Sequence, residues 1–260
     1  MKRALLVLCA ALLIGVSLAA VPLSVSWTEG RVDLQKGSSW ALVGIGDRLD
    51  SSSTLRLGAG SSVELSDGTR KVSLTAAGVY VIDSLLKLGA DSAKRKTAAL
   101  AKFGKLVNPK TSTEGSSVAA VRGAAVEPTA DSVNWMSDTV DVMAVMDEGR
   151  KFARDGEFAA AAAKFDEAVL AAEGDEKETA SFAEAWALAA DDSFARAVKI
   201  LRGMAASGTW AGPRALLLAR LDIDSGAKAE AKALLEAAAA AKLFVGDDVD
   251  LARSLLAEAK

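Results

Sequence analysis

Histidine is absent from this 260-residue chain. That excludes Ser-His-Asp hydrolysis, His-ligated zinc and imidazole proton shuttles. Cys9 is the only cysteine, and it lies in an apolar run near the start. With that run removed, nothing remains for a disulfide, a thiol nucleophile or a thiolate metal site. Neither phosphate cradle, GxxxxGK[ST] or GxGxxG, is present; Gly44-Ile45-Gly46 lacks the third glycine. The stretch Asp222-Ile223-Asp224-Ser225-Gly226 is faintly like a calcium loop. It has Ala233 where a bidentate glutamate is required. A single tyrosine and scattered tryptophans give a carbohydrate cleft little to be built from. No cofactor and no metal are expected, and the chain is read as non-enzymatic.

Strong charge of one sign is also missing, the net formal charge being −3. A mildly basic front half precedes an acidic back half, without the basic excess and interleaved aromatics of nucleic-acid binding. Lys2-Arg3, the apolar run Ala4–Leu18 and Ser17-Leu18-Ala19 form a signal peptide over 1–19, cleaved before Ala20. The expected location is the periplasm or another exported compartment. An uncleaved inner-membrane anchor is the alternative.

What is present begins with β alternation. Val32/Leu34, Leu55/Leu57, Val63/Leu65, Val72/Leu74 and Val79/Val81 each put two apolar side chains on one strand face. Lys36-Gly37-Ser38, Gly58-Ala59-Gly60, Asp67-Gly68 and Ala77-Gly78 supply turns between them. The spacing predicts a small all-β sandwich, roll or solenoid. Trp40, Leu42, Gly46-Asp47, Leu49, Leu55-Arg56, Ser61–Leu65, Asp67-Gly68-Thr69 and Val72–Leu74 follow one another in order, and Val121-Arg122-Gly123 comes later. In this order they resemble the FecR-type periplasmic domain. The resemblance implies a β unit over 20–128, with Val118–Val126 returning to complete it. It also implies kinship to membrane sensors that signal inward to a sigma factor. Met1-Lys2-Arg3 precede the apolar run in this sequence, so a counterpart to the cytoplasmic part of such a sensor is not expected.

Residues 83–107 read as a helical insertion in that unit, with Leu85, Leu86, Leu88, Leu100, Phe103, Leu106 and Val107 at helical spacing. Lys94, Arg95, Lys96, Lys102 and Lys105 give it a basic face, a surface for an acidic partner, an anionic glycan or a lipid surface. The competing reading is a solvated face. Residues 129–140 are a linker.

From Asp141 the chain is Ala-rich and helix-forming. Gly149, Phe152, Phe158, Ala161, Phe165 and Ala168 mark a first unit, and its Ala161/Phe165 pair recurs 36 and then another 34 residues later as Ala197/Leu201 and Ala231/Leu235. This pattern resembles the tetratricopeptide repeat and implies antiparallel helix pairs over 141–260. The fold class is therefore α+β and multidomain: a small all-β unit with a helical insertion, then an all-α repeat unit. First helices are expected at Asp141–Arg154, Lys177–Ala190 and Pro213–Ile223. In that family such helices line a groove, which here makes Arg150, Lys151, Glu184, Arg214 and Arg220 partner-binding candidates. The expected function is an exported adaptor or scaffold binding another envelope protein or peptide. The alternatives are a peptidoglycan or glycan binder, or a signalling component related to FecR-type sensors.

Overall fold

The computed structural model describes residues 23–50, 52–68, 71–84, 100–108 and 140–260. The signal peptide, residues 85–99 of the helical insertion with Lys94, Arg95 and Lys96, the Val121-Arg122-Gly123 segment and residues 129–139 of the linker lie outside these residues. Among those described, no helix is long and apolar enough to cross a membrane.

Among the described residues, the front of the chain forms eight strands: β1 (Leu23–Glu29), β2 (Val32–Lys36), β3 (Ser39–Leu42), β4 (Arg48–Leu49), β5 (Thr54–Leu57), β6 (Ser62–Ser66), β7 (Lys71–Leu74) and β8 (Gly78–Val81). They make two four-stranded sheets, ordered β4-β1-β6-β7 and β3-β2-β5-β8, with antiparallel pairing throughout. Val25, Val32, Leu55, Leu57, Val63, Leu65 and Leu74 are buried in one core, with Leu34 and Val72 packed against it. Alternation placed these correctly because each of these strands carries these apolar side chains on one face.

The pair Val79/Val81 is a correction. Both are exposed, at 62% and 45%, and Tyr80 packs against the core instead. Register explains this: Tyr80 lies opposite Leu55, and Val79 lies opposite Arg56 on the outer face. A strand offset by one residue exchanges its faces, and the hydroxyl of Tyr80 donates to the Ala76 carbonyl at 2.8 Å to hold it there. Val79→Lys is therefore expected to shift stability by less than ~0.5 kcal/mol in urea denaturation, as for an exposed site.

Among the described residues, seven helices lie beyond residue 140: α1 (Val142–Arg154), α2 (Phe158–Ala171), α3 (Gly174–Ala190), α4 (Phe194–Gly203), α5 (Ala211–Asp224), α6 (Lys228–Ala240) and α7 (Asp247–Glu258). Asp141 caps α1 by accepting from the amides of Met143 and Ala144. Pro213 falls in the first turn of α5, where its missing N–H costs nothing. The N-cap of α7 is Gly246 rather than Asp247 or Asp248, which fall in the first turn and complement the helix dipole.

The turn within each pair repeats in the backbone. Gly156, Asp192 and Gly226 all have positive φ. After each of them an amide reaches back to the preceding helix: Glu157 to Phe152 O at 2.9 Å, Ser193 to Leu188 O at 2.8 Å, Ala227 to Asp222 O at 2.7 Å. These are left-handed helix terminations of one kind, and they satisfy carbonyls that each helix end would otherwise orphan. Small residues let the paired helices approach closely. A Cβ at Gly149 would sit 2.5 Å from the ring of Phe165, so the ring occupies the space a side chain would need.

Residues 100–107 are helical, as expected, but they do not belong to the β unit. Leu100, Phe103 and Val107 are buried in the helical core, among Val145, Met146, Phe182 and Trp186. Periodicity shows that a segment has an apolar stripe; it does not say which core the stripe faces.

The two units meet on the outer face of the β4-β1-β6-β7 sheet. Glu64, buried on β6, pairs with Arg196 of α4 at 3.5 Å. Ser73 of β7 donates to the Asp192 carbonyl at 3.1 Å and accepts from the Phe194 amide at 3.2 Å. Lys71 pairs with Asp191, and Lys199 pairs with Glu29 at 3.0 Å. That sheet is therefore covered on both faces.

Candidate functional site

The helical unit carries one face built from helices that open successive pairs. On α3, Phe182 and Trp186 stand four residues apart and so point the same way. Each has a second ring behind it. Trp210 stacks on Phe182 with centroids 4.5 Å apart, and Phe158 meets Trp186 edge to face at 5.7 Å. The Trp210 indole N–H donates to the Thr179 hydroxyl at 3.0 Å, which fixes the outer ring of the stack. Such backing holds the aromatic surface in one shape.

Residues 100–107 lie on this surface. Phe103 meets Phe182 edge to face, with centroids 6.2 Å apart. The Trp186 indole N–H donates to the Leu100 carbonyl at 2.9 Å. Gly104 lies so close to Trp186 that a Cβ there would fall 2.9 Å from the indole ring. At the far end, Arg150 Nε of α1 donates to the Val107 carbonyl at 3.0 Å, while its Nη1 reaches Asp147 at 2.7 Å. A cation against the last carbonyls of a helix complements its dipole. Lys102 pairs with Asp248 of α7 at 2.8 Å. Helices α1, α3 and α7 thus hold the helical residues 100–107 through an aromatic floor, two carbonyl contacts and an ion pair.

The predicted groove residues divide sharply. Arg150 belongs to this face, and Lys151 is exposed on the same helix. Arg220 does not line an open surface. It is buried, pairing with Asp224 on its own helix and with Glu258 of α7 at 2.7 Å. Burial disfavours its charge, but hydrogen bonds to the two carboxylates outweigh that and hold its pKa above the usual arginine value. Arg214 is half-buried and donates to the Leu201 carbonyl near the end of α4, and burial lowers its pKa. It closes a helix end rather than meeting a partner. In the basic patch, Lys102 is tied up with Asp248, and Lys105 is exposed.

Glu184 looks the other way. With Trp27, Asp166, Leu188, Arg196 and Lys199 it lines a cleft of about 440 Å³ between the β unit and helices α2–α4. Lys199 lies over the Trp27 ring there, 5.4 Å from its centroid. Burial first, and then the charge of Asp166, push the Glu184 carboxyl up to about 7, with Arg196 opposing. Asp222, buried at the α4–α5 contact, is pushed up to about 6 by burial, although Arg202 donates to it at 3.1 Å. Among the described residues, no three acidic, cysteine or histidine side chains are grouped to hold a metal ion.

These two carboxyls give the fold a pH dependence of definite sign. The folded chain keeps both protons at a pH where the unfolded chain, with carboxyls titrating near 4, has released them. Their contribution is fully present below that value and is lost as the pH rises through about 6 for Asp222 and about 7 for Glu184. Thermal melts from acid to neutral pH are expected to fall through this window. Glu184→Gln should flatten its upper part. Parallel profiles for the wild type and the Glu184→Gln variant would place the titration elsewhere.

Sequence reasoning missed Phe182, Trp186 and Asp248. The signal was available in Phe182-Ala-Glu-Ala-Trp186, an aromatic pair at helical spacing in a chain with few aromatics. Comparison with known proteins adds no analogy to this geometry: no family model, no curated protein and no solved structure matches the chain.

Proposed function

We propose that this chain is an exported, non-enzymatic adaptor that binds another envelope protein through its helical unit. In this reading the β unit is FecR-like and the helix pairs are tetratricopeptide-like. The observation that carries it is the seating of the helical residues 100–107 on α1, α3 and α7 by Phe182, Trp186 and Arg150. A face that satisfies a helix's apolar side chains and its terminal carbonyls together has the chemistry of a helix-in-groove receptor. A small-molecule site would call instead for an enclosed apolar pocket.

A photo-crosslinking side chain at Asp147, which pairs with Arg150 at the edge of this face, tests the reading. Incorporated in cells and irradiated, it is expected to yield an adduct with another envelope protein. A matching probe at Val79, on the exposed outer sheet, is expected to yield none. Adducts from Val79 alone would move the interaction to the β unit and favour the polymer-binding or sensor alternatives.

A further inference from the structure

We infer that α4 and the turn before it form an electrostatic clasp: the β unit closes on the helical unit through their charges, and opens from it with both hydrophobic cores intact. This device does not depend on the adaptor role and concerns how the two units are joined.

The joint is polar. Among the described residues, no strand side chain belongs to the helical core, and no side chain of α1–α7 belongs to the β core. Charge and hydrogen bonding join the units instead. The ion pairs Glu64–Arg196, Lys71–Asp191 and Glu29–Lys199 all meet the helical unit within residues 191–199. Lys71 also donates to the Ser193 hydroxyl at 3.2 Å, and Glu64 accepts from the Arg196 amide at 3.2 Å. Lys199 sets its cation over the ring of Trp27. Beyond α4, the hydroxyls of Thr75 and Ser225 meet at 2.5 Å. One turn and one helix thus gather the charges on which the β unit rests.

Such a joint is held weakly. Apolar surfaces gain by leaving water, whereas charges brought together lose hydration in return for their attraction. Partly exposed pairs contribute little and are weakened by salt, and two of these are of that kind. Lys199 and Glu29 are 53% and 37% exposed, and Lys71 and Asp191 28% and 22%. Glu64 is almost fully buried, and burial raises the pKa of its carboxyl although Arg196 and Lys71 oppose it. Its hydration is therefore not fully replaced. Trp27 faces α4 across the joint, and its indole N–H is buried without a hydrogen-bond partner. An orphaned donor favours the open state, where water reaches it. The contact is also incompletely filled, since the cleft lies between Trp27 and α2–α3. A polar interface of this kind permits relative motion of the units it joins.

Single-molecule fluorescence transfer within the full chain tests the clasp. Cys9→Ser removes the only native thiol, and dyes are attached at Val79→Cys on the β unit and Leu170→Cys on α2, both exposed. One closed population is expected to dominate at about 0.1 M NaCl. A second population of different transfer efficiency should grow severalfold by about 1 M, as the Debye length falls from ~10 to ~3 Å. Lys199→Glu sets like charge against Glu29 and is expected to raise the open-to-closed ratio about fivefold. Adding Glu29→Lys should reverse that gain. Arg196→Glu, which faces Glu64, is expected to open most molecules at low salt, and the exposed Lys199–Glu29 swap carries the test if it fails to fold. A single transfer efficiency, unmoved by salt and by Lys199→Glu, would overturn the clasp. So would an opening that Glu29→Lys leaves unreversed, since it would not pass through this pair. Loss of helix or strand signal in circular dichroism together with opening would also overturn it, because the cores would not be intact.

Discussion

Arg220→Ala is expected to lower the unfolding free energy by about 3–5 kcal/mol, more than any surface charge could account for. The guanidinium joins Asp224 of α5 to Glu258 of α7, and the Arg220 and Asp224 side chains are about 5% and 4% exposed. Removing the cation leaves the Asp224 carboxylate buried without its partner, and the burial cost is then no longer offset. Arg220→Met combined with Asp224→Leu should recover most of the loss, because an apolar pair of similar volume carries no desolvation penalty. Urea denaturation of the three chains decides the matter. A single Arg220→Ala substitution costing under ~0.5 kcal/mol would return Arg220 to the class of exposed residues.

Phe165→Ala is the second large effect, again about 3–5 kcal/mol, because a fully buried aromatic is lost and a cavity remains. Phe165 sits at 0% exposure between α1 and α2, with its ring against the bare backbone of Gly149. The reciprocal change sets two effects against each other. Gly149→Ala gains roughly 1 kcal/mol in helix propensity but forces a methyl into the ring, at about 1–3 kcal/mol. Overpacking should win where the clash is with a buried ring, so Gly149→Ala is expected to destabilise. Phe165→Leu in the same chain should partly relieve it. A stabilising Gly149→Ala would mean that α1 and α2 approach less closely than described.

The elements were legible in the sequence to the extent that each answers to a single local rule. Strands β2, β5 and β6 carry their large apolar side chains on one face apiece, so Val32, Leu55, Leu57, Val63 and Leu65 could be placed by alternation. The helix pairs were legible because Ala161, Phe165 and Ala168, and their counterparts about 36 and 34 residues on, mark where helices touch. Strand β8 failed because its register depends on its partner strand, and Val79 and Tyr80 are both acceptable inner residues until Leu55 chooses one. Arg220 and Glu184 failed for a related reason. A polar residue off the packing positions reads as solvent-facing only if the helix has a free side. Helix α5 is buried on nearly all sides, and α3 is overlain by the β unit on the side that carries Glu184.

The candidate site was half legible. Arg150 was singled out because first helices were expected to share a face. Its occupant was not, because residues 100–107 were assigned to the unit preceding them in the chain. The contact between Phe103 and Phe182 spans 79 positions, and nothing local records a contact across such a distance.

That contact is also the most direct point at which to test how the helical unit is built. A double-mutant cycle of Phe103→Ala and Phe182→Ala, read by urea denaturation, measures the coupling between the segment and the face. Rings meeting edge to face in a buried site should couple by about 0.5–1.5 kcal/mol. A coupling in that range would place residues 100–107 on α3 in solution. A coupling within about 0.3 kcal/mol of zero, the additivity of independent sites, would mean that the segment does not occupy this face.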